Sequence, residues 1–507
     1  MAQVYPFPAY RYNGSRVAFD RVLTQPYDKI SPAAQEKYYA ADPHNLIAVE
    51  KGRVLADDAP EHSVYTRAAE ALESWIRDHV VARDSEPSFY AYTQEYAVPG
   101  SEERRTRRGF IGAGKLEEYS AGVVFRHEHT LSGPKADRLE LLRHTRTHTG
   151  QLFMLYSDEQ RRVDNLLAEV EASAAPATEL HDEYGVVHRL WVVSDPAKIA
   201  AIQEAMASQK LVIADGHHRY ETALTYRNER RNERRNERQN ERGAAAGQGS
   251  SPSQGQDHSS APGQHDSLSP GQYKSPLPGQ DRSPLPGQNW SPLPGENNAD
   301  APYERAMMTF VNTRSEGLTI LPTHRVVANV PDYSWPIMRR YLEPWFTAEE
   351  FPFASDEGKA EARARFLRRL AEARDSLAIG VYPAETGKRA FYVLTLRVGA
   401  NLAQLLPGVS PLQRELDVVL LHEGILEPAL GITPQAVTAE KNLTYEREAA
   451  AALEAVDSGA AQVAFLLNPC DVEQVMRIAT SGEVMPQKST DFYPKLLSGI
   501  TMYRVDS

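Results

Sequence analysis

Residues 210–224, "KLVIADGHHRYETAL", contain the sharpest change of pattern in the chain. The apolar, β-prone run KLVIA is followed by Asp215-Gly216, a turn signal in which Gly216 can take a positive φ. In the residues that follow, Tyr220 and Leu224 recur at helical spacing on one face. The sequence therefore predicts a strand that ends at the aspartate and a helix that begins directly after the glycine.

The predicted turn concentrates polar chemistry at a helix N-terminus. Gly216, His217 and His218 would present free backbone N–H groups there, which together with the helix dipole bind anions. Arg219 adds a bidentate phosphate donor, and Asp215 could hold a divalent cation or cap the helix. The sequence predicts a phosphate or nucleotide site at this turn. The alternative is that Asp215 only caps the helix and that core hydrogen bonds satisfy the histidines.

Composition limits the class of protein. The chain has 507 residues, 41% of them hydrophobic, and a net charge of −12. This length predicts two or three domains with a substantial core. The acidic balance argues against specific nucleic-acid binding, because such binding depends on surplus positive charge. A single cysteine, Cys470, allows no intrachain disulfide, and no apolar run is long enough to span a membrane. We therefore expect a cytoplasmic protein without a membrane partner.

Residues 228–302 differ in kind from the rest. They begin with the tetrapeptide repeat NERRNERRNERQNER and later contain the repeats KSPLPGQ, RSPLPGQ and WSPLPGE. A stretch rich in Gly, Pro, Ser and Gln cannot bury enough surface to become ordered, so disorder is expected over 243–301. The Arg/Asn/Glu part could continue the preceding helix for a few turns. The insert is either a tether for an unknown partner or a neutral repeat expansion in a surface loop.

Short β-prone runs alternate with amphipathic helical runs on both sides of the insert. This mixture predicts a mixed α/β (α+β) fold. We expect an N-terminal α/β region at 1–227, the insert at 228–302, a continuation of the α/β core at 303–400 and a C-terminal α/β region at 401–507.

The chain also carries a set of motifs that resembles a known family. It is similar to members of domain-of-unknown-function family 1015 in the segments QPYDKIS (25–31), RHEHTLSGPKADRLELL (126–142), IADGHHRYETAL (213–224), LPTHRVV (321–327) and MPQKSTDFYPKLLSGI (485–500). These segments span both ends of the chain. The box GHHRYETA resembles the phosphate-binding box of the ParB/sulfiredoxin superfamily, and DGHHR is similar to the box of free-serine kinases in that superfamily.

The resemblance implies a ParB/sulfiredoxin-like nucleotide-binding core and a role for Glu128. Serine kinases of this type have a His-Glu pair that opens a helix, and Glu128 stands at the position of their catalytic base. Phosphorylation of a hydroxyl needs a carboxylate within hydrogen-bond reach of that hydroxyl. Lys135 and Arg138 would face phosphate oxygens, and Mg²⁺ with ATP or ADP would be the cofactor. The alternative is a surface or capping role for Glu128.

Two further segments of the resemblance carry candidate ligand groups. His324 and Arg325 follow a β-prone run and could supply a second anion contact, or could simply end a surface strand. Lys488, Ser489 and Thr490 lie in a Pro- and aromatic-rich loop and could close over a phosphate, or could only pack the C-terminal region.

The leading hypothesis is a nucleotide-dependent small-molecule kinase or nucleotide hydrolase. Its phosphates would lie on residues 215–219, and Glu128, His217 and His218 would be the catalytic groups. Serine or a similar hydroxy compound is the substrate that the resemblance implies. The rival hypothesis is a non-catalytic, nucleotide-gated regulatory protein of ParB-like type.

Overall fold

The computed structural model separates the chain into two compact units, residues 1–227 with 302–507, and residues 228–301. It describes residues 1–128, 133–247, 301–384, 389–438 and 441–506. The prediction of separate regions at 303–400 and 401–507 stays a prediction.

The strands of the described residues are β1 (Val4–Tyr5), β2 (Tyr10–Tyr12), β3 (Val81–Arg83), β4 (Phe89–Ala97), β5 (Arg104–Lys115), β6 (Val124–Arg126), β7 (Thr147–His148), β8 (Leu152–Tyr156), β9 (Thr178–His181), β10 (Val187–Val193), β11 (Leu211–Asp215), β12 (Arg305–Asn312), β13 (Thr319–Leu321), β14 (His324–Val327), β15 (Phe346–Phe353), β16 (Ala378–Pro383), β17 (Arg389–Leu396), β18 (Leu443–Glu446), β19 (Val463–Leu467), β20 (Asp491–Tyr493) and β21 (Tyr503–Arg504).

The α-helices are α1 (Phe19–Val22), α2 (Pro32–Ala41), α3 (Ile47–Glu50), α4 (Val64–Arg77), α5 (Gly133–Thr145), α6 (Arg162–Ser173), α7 (Pro196–Ala207), α8 (His217–Gly247), α9 (Trp335–Leu342), α10 (Asp356–Glu372), α11 (Leu402–Leu405), α12 (Asp417–Leu421), α13 (Glu427–Leu430), α14 (Pro434–Thr438), α15 (Ala449–Asp457) and α16 (Val472–Thr480). Together with the strands they confirm the predicted mixed α/β class.

The larger sheet holds nine strands in the order β6-β11-β8-β12-β5-β4-β10-β9, with β1 paired to β5. It combines residues from before and after the insert, since β12 lies between β5 and β8. The predicted strand before the DGHHR box is β11, and the predicted helix after it is α8, so both are confirmed. Strand β11 runs parallel to β6 and antiparallel to β8.

The first turns of α8 are fixed by burial on the larger sheet. Tyr220 is fully buried and Leu224 is nearly so, in one apolar cluster with Ile213 and Met308. Full burial of a large apolar side chain is worth about 1.5–3 kcal/mol. This predicted face therefore holds the start of the helix, and with it the His-His-Arg box, against the sheet.

The second sheet has six strands in the order β15-β17-β16-β19-β14-β18, all antiparallel. Its apolar cluster includes Phe366 of α10 and Leu453 of α15 packed against Phe391. Helix α10 begins with Ser355 as a cap, whose hydroxyl accepts from the Gly358 N–H at 3.2 Å. Such caps satisfy donors that the first helical turn leaves open.

Helix α8 continues through the Arg/Asn/Glu repeat to Gly247, which confirms the predicted helical extension. Within the repeat, Arg230 forms an ion pair with Glu233 one turn later. Disorder was expected from residue 243, but 243–247 are helical; the rest of that prediction, 248–300, lies outside the described residues. In the described part of the chain, no helix combines the length and apolar character needed to cross a membrane.

Candidate functional site

The turn between β11 and α8 has the geometry that its sequence predicts. Gly216 has a φ of +95°, a conformation that L-residues with side chains rarely adopt. Its N–H donates to Asp215 Oδ1 at 2.9 Å, and its carbonyl accepts the Tyr220 N–H at 2.9 Å to form the first helical turn. One of the amides expected to bind an anion is therefore already engaged by the neighbouring carboxylate.

Sheet topology brings the His-Glu pair to this turn. Ile213 of β11 lies opposite Arg126 of the parallel strand β6. Because parallel strands end at the same edge of a sheet, the residues after each strand meet there. His127 and Glu128 therefore lie beside the start of α8. The next described helix along the chain is α5, which is described from Gly133 onward.

His127 connects three parts of the chain. It is fully buried, and its Nδ1 donates to the Ile213 carbonyl at 2.7 Å. Burial lowers the pKa of His127, so the ring is neutral and its Nε2 accepts from the Thr490 hydroxyl at 2.8 Å. The centre of its ring is 4.9 Å from that of His217. One side chain thus holds β11, the C-terminal loop and the start of α8 together.

His217 is buried at the centre of this cluster. Burial, followed by the neighbouring His127 ring, lowers the pKa of His217 well below its ordinary value. Its Nε2 is buried and has no hydrogen-bond partner among the described residues. A buried, unpaired ring nitrogen is costly, so it marks a point where a ligand atom or water would be stabilised.

Glu128 is held against the C-terminal loop. Its Oε1 accepts the Ser489 N–H at 3.1 Å, and Met485 donates its N–H to the His127 carbonyl at 2.7 Å. Glu128 and Met485 also form a parallel bridge. The predicted residues Glu128, Ser489 and Thr490 are therefore brought together, although most of the chain separates them in sequence.

Asp215 carries its negative charge among cations. Its Oδ2 lies 3.6 Å from Lys495 Nζ and 3.9 Å from Arg219 Nη2. Burial acts to raise the pKa of Asp215, but Lys495, Arg219 and other nearby cations outweigh it and hold the pKa below its usual range. Lys495 also contacts Asp491 Oδ1 at 3.1 Å.

The described residues do not form a metal site on their own. No cluster of three or more His, Cys, Asp or Glu side chains with ligand geometry occurs within the described ranges. Asp215, the predicted metal ligand, is already compensated by Lys495 and Arg219. The donor set therefore does not fit a magnesium ion held by the protein alone.

His218 and Lys488 lie on the more open side of the cluster. Burial lowers the pKa of His218, and its charged neighbours are Glu221, Lys135, Asp28 and Lys488. These neighbours come from the segments 25–31, 126–142, 213–224 and 485–500, so the structure brings all four together.

The predicted cations of this cluster differ in availability. Lys135 forms an ion pair with Glu221, whereas Lys488 is exposed and has no ion pair among the described residues. Lys488 also has a φ of +56°. Of the predicted lysines, Lys488 is therefore the one whose charge no described residue compensates.

Arg219 and Arg138 are used within the protein. Arg219 donates to the Gln151 carbonyl, and Arg138 donates to the Glu50 carbonyl at 2.7 Å and stacks over the Tyr27 ring at 4.4 Å. Both arginines line a cavity of about 50 Å³, which is too small for a nucleotide. Arg219 Nε is buried without a partner among the described residues.

His324 and Arg325 lie in the second sheet and are buried rather than at a surface strand end. His324 Nδ1 accepts the Leu467 N–H at 3.2 Å. Arg325 donates to the carbonyls of Gln487 at 3.3 Å and Lys488 at 3.1 Å. Arg325 therefore shapes the loop that carries Lys488.

Lys495, Asp491 and Lys29 were missed as site residues. Lys495 and Lys29 act on Asp215, and Asp491 contacts Lys495. Burial followed by repulsion from Lys495 lowers the pKa of Lys29. Lys29 follows Asp28 in the segment 25–31, and Asp491 and Lys495 lie in the segment 485–500, so membership of these motifs was the available signal. A cavity of about 1070 Å³ also exists, but it lies elsewhere, beside Asp417, Cys470 and Arg477.

The fold and the site define a mixed α/β protein with a histidine-rich strand-to-helix turn, closed on one side by a C-terminal loop. The chain belongs to the family described as protein of unknown function (DUF1015), whose model matches residues 4–246 and 289–419. Membership of the ParB/sulfiredoxin superfamily stays a prediction.

Other comparisons add little to this assignment. No curated protein matches the chain. Among solved structures, a conserved hypothetical protein from Pyrococcus furiosus is 10% identical, with 73% of this chain and 87% of that chain covered and a TM-score of 0.28. Free serine kinase in complex with AMP is also 10% identical, with 73% and 83% covered and a TM-score of 0.29. A mutant of free serine kinase in complex with ADP is 10% identical, with 73% of this chain and 84% of that chain covered and a TM-score of 0.29. Scores at this level carry no argument about fold or activity.

Proposed function

We propose that this protein is a nucleotide-dependent phosphotransferase or nucleotide hydrolase that acts on serine or a similar small hydroxylated compound, with Glu128 as the general base. The observation that supports the proposal is the placement of Glu128. Its half-buried carboxylate is oriented by the Ser489 N–H at 3.1 Å, beside the start of α8. A base must be held in one geometry to act on a bound hydroxyl.

The two oxygens of Glu128 would have different roles. Oε1 accepts the Ser489 N–H, whereas Oε2 has no hydrogen-bond partner in the described parts of the chain. Oε2 is therefore the atom that would accept the proton of a substrate hydroxyl or of water. Proton removal in the transition state would strengthen the attack on a phosphorus atom held in line.

The phosphate groups would lie over the start of α8. Backbone N–H groups of His217 and His218 and the helix dipole favour negative charge at this point. Lys488 would add a cation, because its ammonium is exposed and lacks an ion pair among the described residues. The unpaired Nε2 of His217 would contact a phosphate or substrate atom. Magnesium would arrive with the nucleotide, since the described residues do not build a site for it.

A second candidate is a nucleotide-gated regulatory protein. It is favoured by the contact between Glu128 and the Ser489 N–H, since that contact already gives the carboxylate a structural role. In such a protein, nucleotide binding would shift the C-terminal loop and no base would be needed.

The substitution Glu128→Gln separates the two candidates. Glutamine retains an oxygen that can accept the Ser489 N–H but cannot act as a base. Phosphorus NMR with ATP and serine measures turnover, and thermal unfolding with ATP, ADP, CTP and pyrophosphate, with and without magnesium, measures binding. An enzyme loses turnover by about 100-fold or more and keeps its ligand-induced rise in Tm. A switch needs no base, so the substitution leaves its full ligand-induced rise in Tm and removes no turnover.

The exposed Glu102→Gln variant serves as the matched control and should behave as the wild type. If none of the nucleotides raises the Tm of the folded wild-type protein, both candidates fail.

A further inference from the structure

A third cavity, of about 420 Å³, lies between the α12–α14 region and the segment 484–487. Its wall consists of valine, isoleucine, proline and methionine side chains, two glutamines, one histidine and two glutamates. The volume falls within the range of sites that enclose small ligands, about 300–1,000 Å³. A largely apolar wall with a few polar groups is also typical of such sites.

Part of this cavity is built by an irregular helix. Residues His422–Leu426 form a π-helical turn between α12 and α13. Single π-turns of this kind occur frequently at functional sites, because the wider turn redirects side chains. Here the turn presents His422 and Glu423 to the cavity, and Glu427 follows one turn later.

The described wall of the cavity carries only negative charge. Its charged side chains are Glu423 and Glu427, and no described lysine or arginine lines it. Both residues are exposed, so they stand where the cavity meets solvent. Neither carboxylate has an ion-pair partner in the described portion of the chain. Partial desolvation, followed by repulsion from Glu427, raises the pKa of Glu423. A cation bound between them would relieve this repulsion.

The histidine supplies a hydrogen-bond donor. His422 is 9% exposed, and its Nε2 accepts from Arg325 Nε at 3.2 Å. Burial, together with the charge of Arg325, lowers the pKa of His422 to about 3, so the ring is neutral and its proton is on Nδ1. No hydrogen bond to Nδ1 exists among the described residues. The cavity therefore offers one N–H donor that only a ligand oxygen or water can satisfy.

The geometry points to a binding site for an amino alcohol with an apolar body. The ammonium group would lie between Glu423 and Glu427, the apolar body would fill the cavity, and the oxygen would accept from His422 Nδ1. Carboxylates and phosphates fit less well, because the described wall residues carry no lysine or arginine. This site does not depend on the proposed phosphotransfer. The two sites are joined by the segment that contains Met485 and by Arg325, which bonds to His422 and to the Lys488 carbonyl.

Calorimetric titration of the full chain with four matched probes tests the ligand class. Phenylalaninol carries the ammonium, the hydroxyl and an aromatic body, whereas 2-phenylethylammonium lacks the hydroxyl, 3-phenylpropan-1-ol lacks the ammonium and 3-phenylpropanoate carries the opposite charge. We expect phenylalaninol to bind best and loss of the hydroxyl to weaken binding about fivefold. Loss of the ammonium should weaken binding about tenfold, and the carboxylate should not bind.

Two variants locate the site. The double variant Glu423→Gln, Glu427→Gln should weaken phenylalaninol binding by about tenfold. The control is Glu357→Gln, Glu361→Gln, which removes an exposed pair at the same spacing on α10 and should change nothing. Val437→Trp fills the cavity and should abolish phenylalaninol binding. It tests the site independently if the glutamate variant folds poorly. Circular dichroism checks that each variant is folded.

The inference is overturned by any of three results. Phenylalaninol does not bind the folded wild-type protein, or 3-phenylpropanoate binds as tightly as phenylalaninol, or the Glu423→Gln, Glu427→Gln variant keeps wild-type affinity.

Discussion

Arg325 donates a hydrogen bond of 3.1 Å from its Nη2 to the main-chain carbonyl of Lys488. The two residues come from different motifs, and each was a candidate anion ligand from sequence. In the structure, the buried arginine holds the backbone while the exposed lysine keeps its charge at the surface. Arg325 therefore contributes to the candidate site through Lys488 rather than by contact with a ligand.

The substitution Arg325→Met should destabilise the protein strongly. Methionine keeps much of the volume but leaves the carbonyls of Gln487 and Lys488, and the Nε2 of His422, without their donor. Each buried group left unsatisfied costs about 1–3 kcal/mol, so we expect a loss of at least about 3 kcal/mol. Urea unfolding followed by circular dichroism measures it.

Arg477→Met is the control for that measurement. It removes an exposed ion pair with Glu415, and such pairs contribute about 0–1 kcal/mol. Equal effects of the two substitutions would contradict the role assigned to Arg325.

Lys488→Asn should weaken anion binding without loss of stability. The lysine has a φ of +56°, and asparagine is among the residues that tolerate this region best. The substitution removes the exposed ammonium and leaves the loop geometry intact. We expect pyrophosphate to bind about tenfold more weakly, with an unfolding free energy within about 0.5 kcal/mol of the wild type.

Calorimetric titration with pyrophosphate measures this change. Lys37→Asn on the exposed side of α2 is the control and should bind pyrophosphate as the wild type does. Unchanged affinity in the Lys488→Asn variant would remove Lys488 from the site.

The local part of this site could be predicted from sequence and the distant part could not. The β11–α8 turn follows from apolar runs on either side of Asp215-Gly216, which is a local signal. The contact between His127 and Thr490 joins residues 363 positions apart, and no local pattern encodes it. Family resemblance grouped the motifs but did not show that Arg325 would be buried. That outcome depends on β14 lying inside a sheet, between β18 and β19.

Acidification should destabilise the protein, and His324 should account for part of the effect. Burial, together with Arg325, lowers the pKa of His324 to about 4 in the folded state, against about 6.5 for an unperturbed histidine. Between these values the unfolded chain binds one more proton than the folded chain. The free energy of unfolding therefore rises with pH over this window, by about 1.4 kcal/mol per pH unit for this residue.

The variant His324→Asn should have a lower free energy of unfolding at pH 7. Between about pH 4 and 6.5, the slope of its unfolding free energy against pH should be smaller by about 1.4 kcal/mol per pH unit. Urea unfolding at several pH values measures the slope. The exposed His62→Asn variant should retain the wild-type slope. An unaltered slope in the His324→Asn variant would show that this ring is not the titrating group.

Asp215 and Lys495 should be energetically coupled. The two side chains are largely buried, with Oδ2 and Nζ 3.6 Å apart, and Lys495 also contacts Asp491. Removal of one partner of a buried pair leaves an uncompensated charge, which costs about 3–5 kcal/mol in a fully buried site. We expect Lys495→Met to lower the free energy of unfolding by about 2–4 kcal/mol, since Asp215 keeps its contact with Arg219 and has partial solvent access. Asp215→Asn should lose less stability, because Lys495 retains Asp491.

In the double variant the two losses of stability should not add, and the coupling energy between Asp215 and Lys495 should be about 1–3 kcal/mol. Urea unfolding of the four proteins in the cycle measures this energy. Strict additivity would mean that the ion pair does not hold the C-terminal loop to the β11–α8 turn.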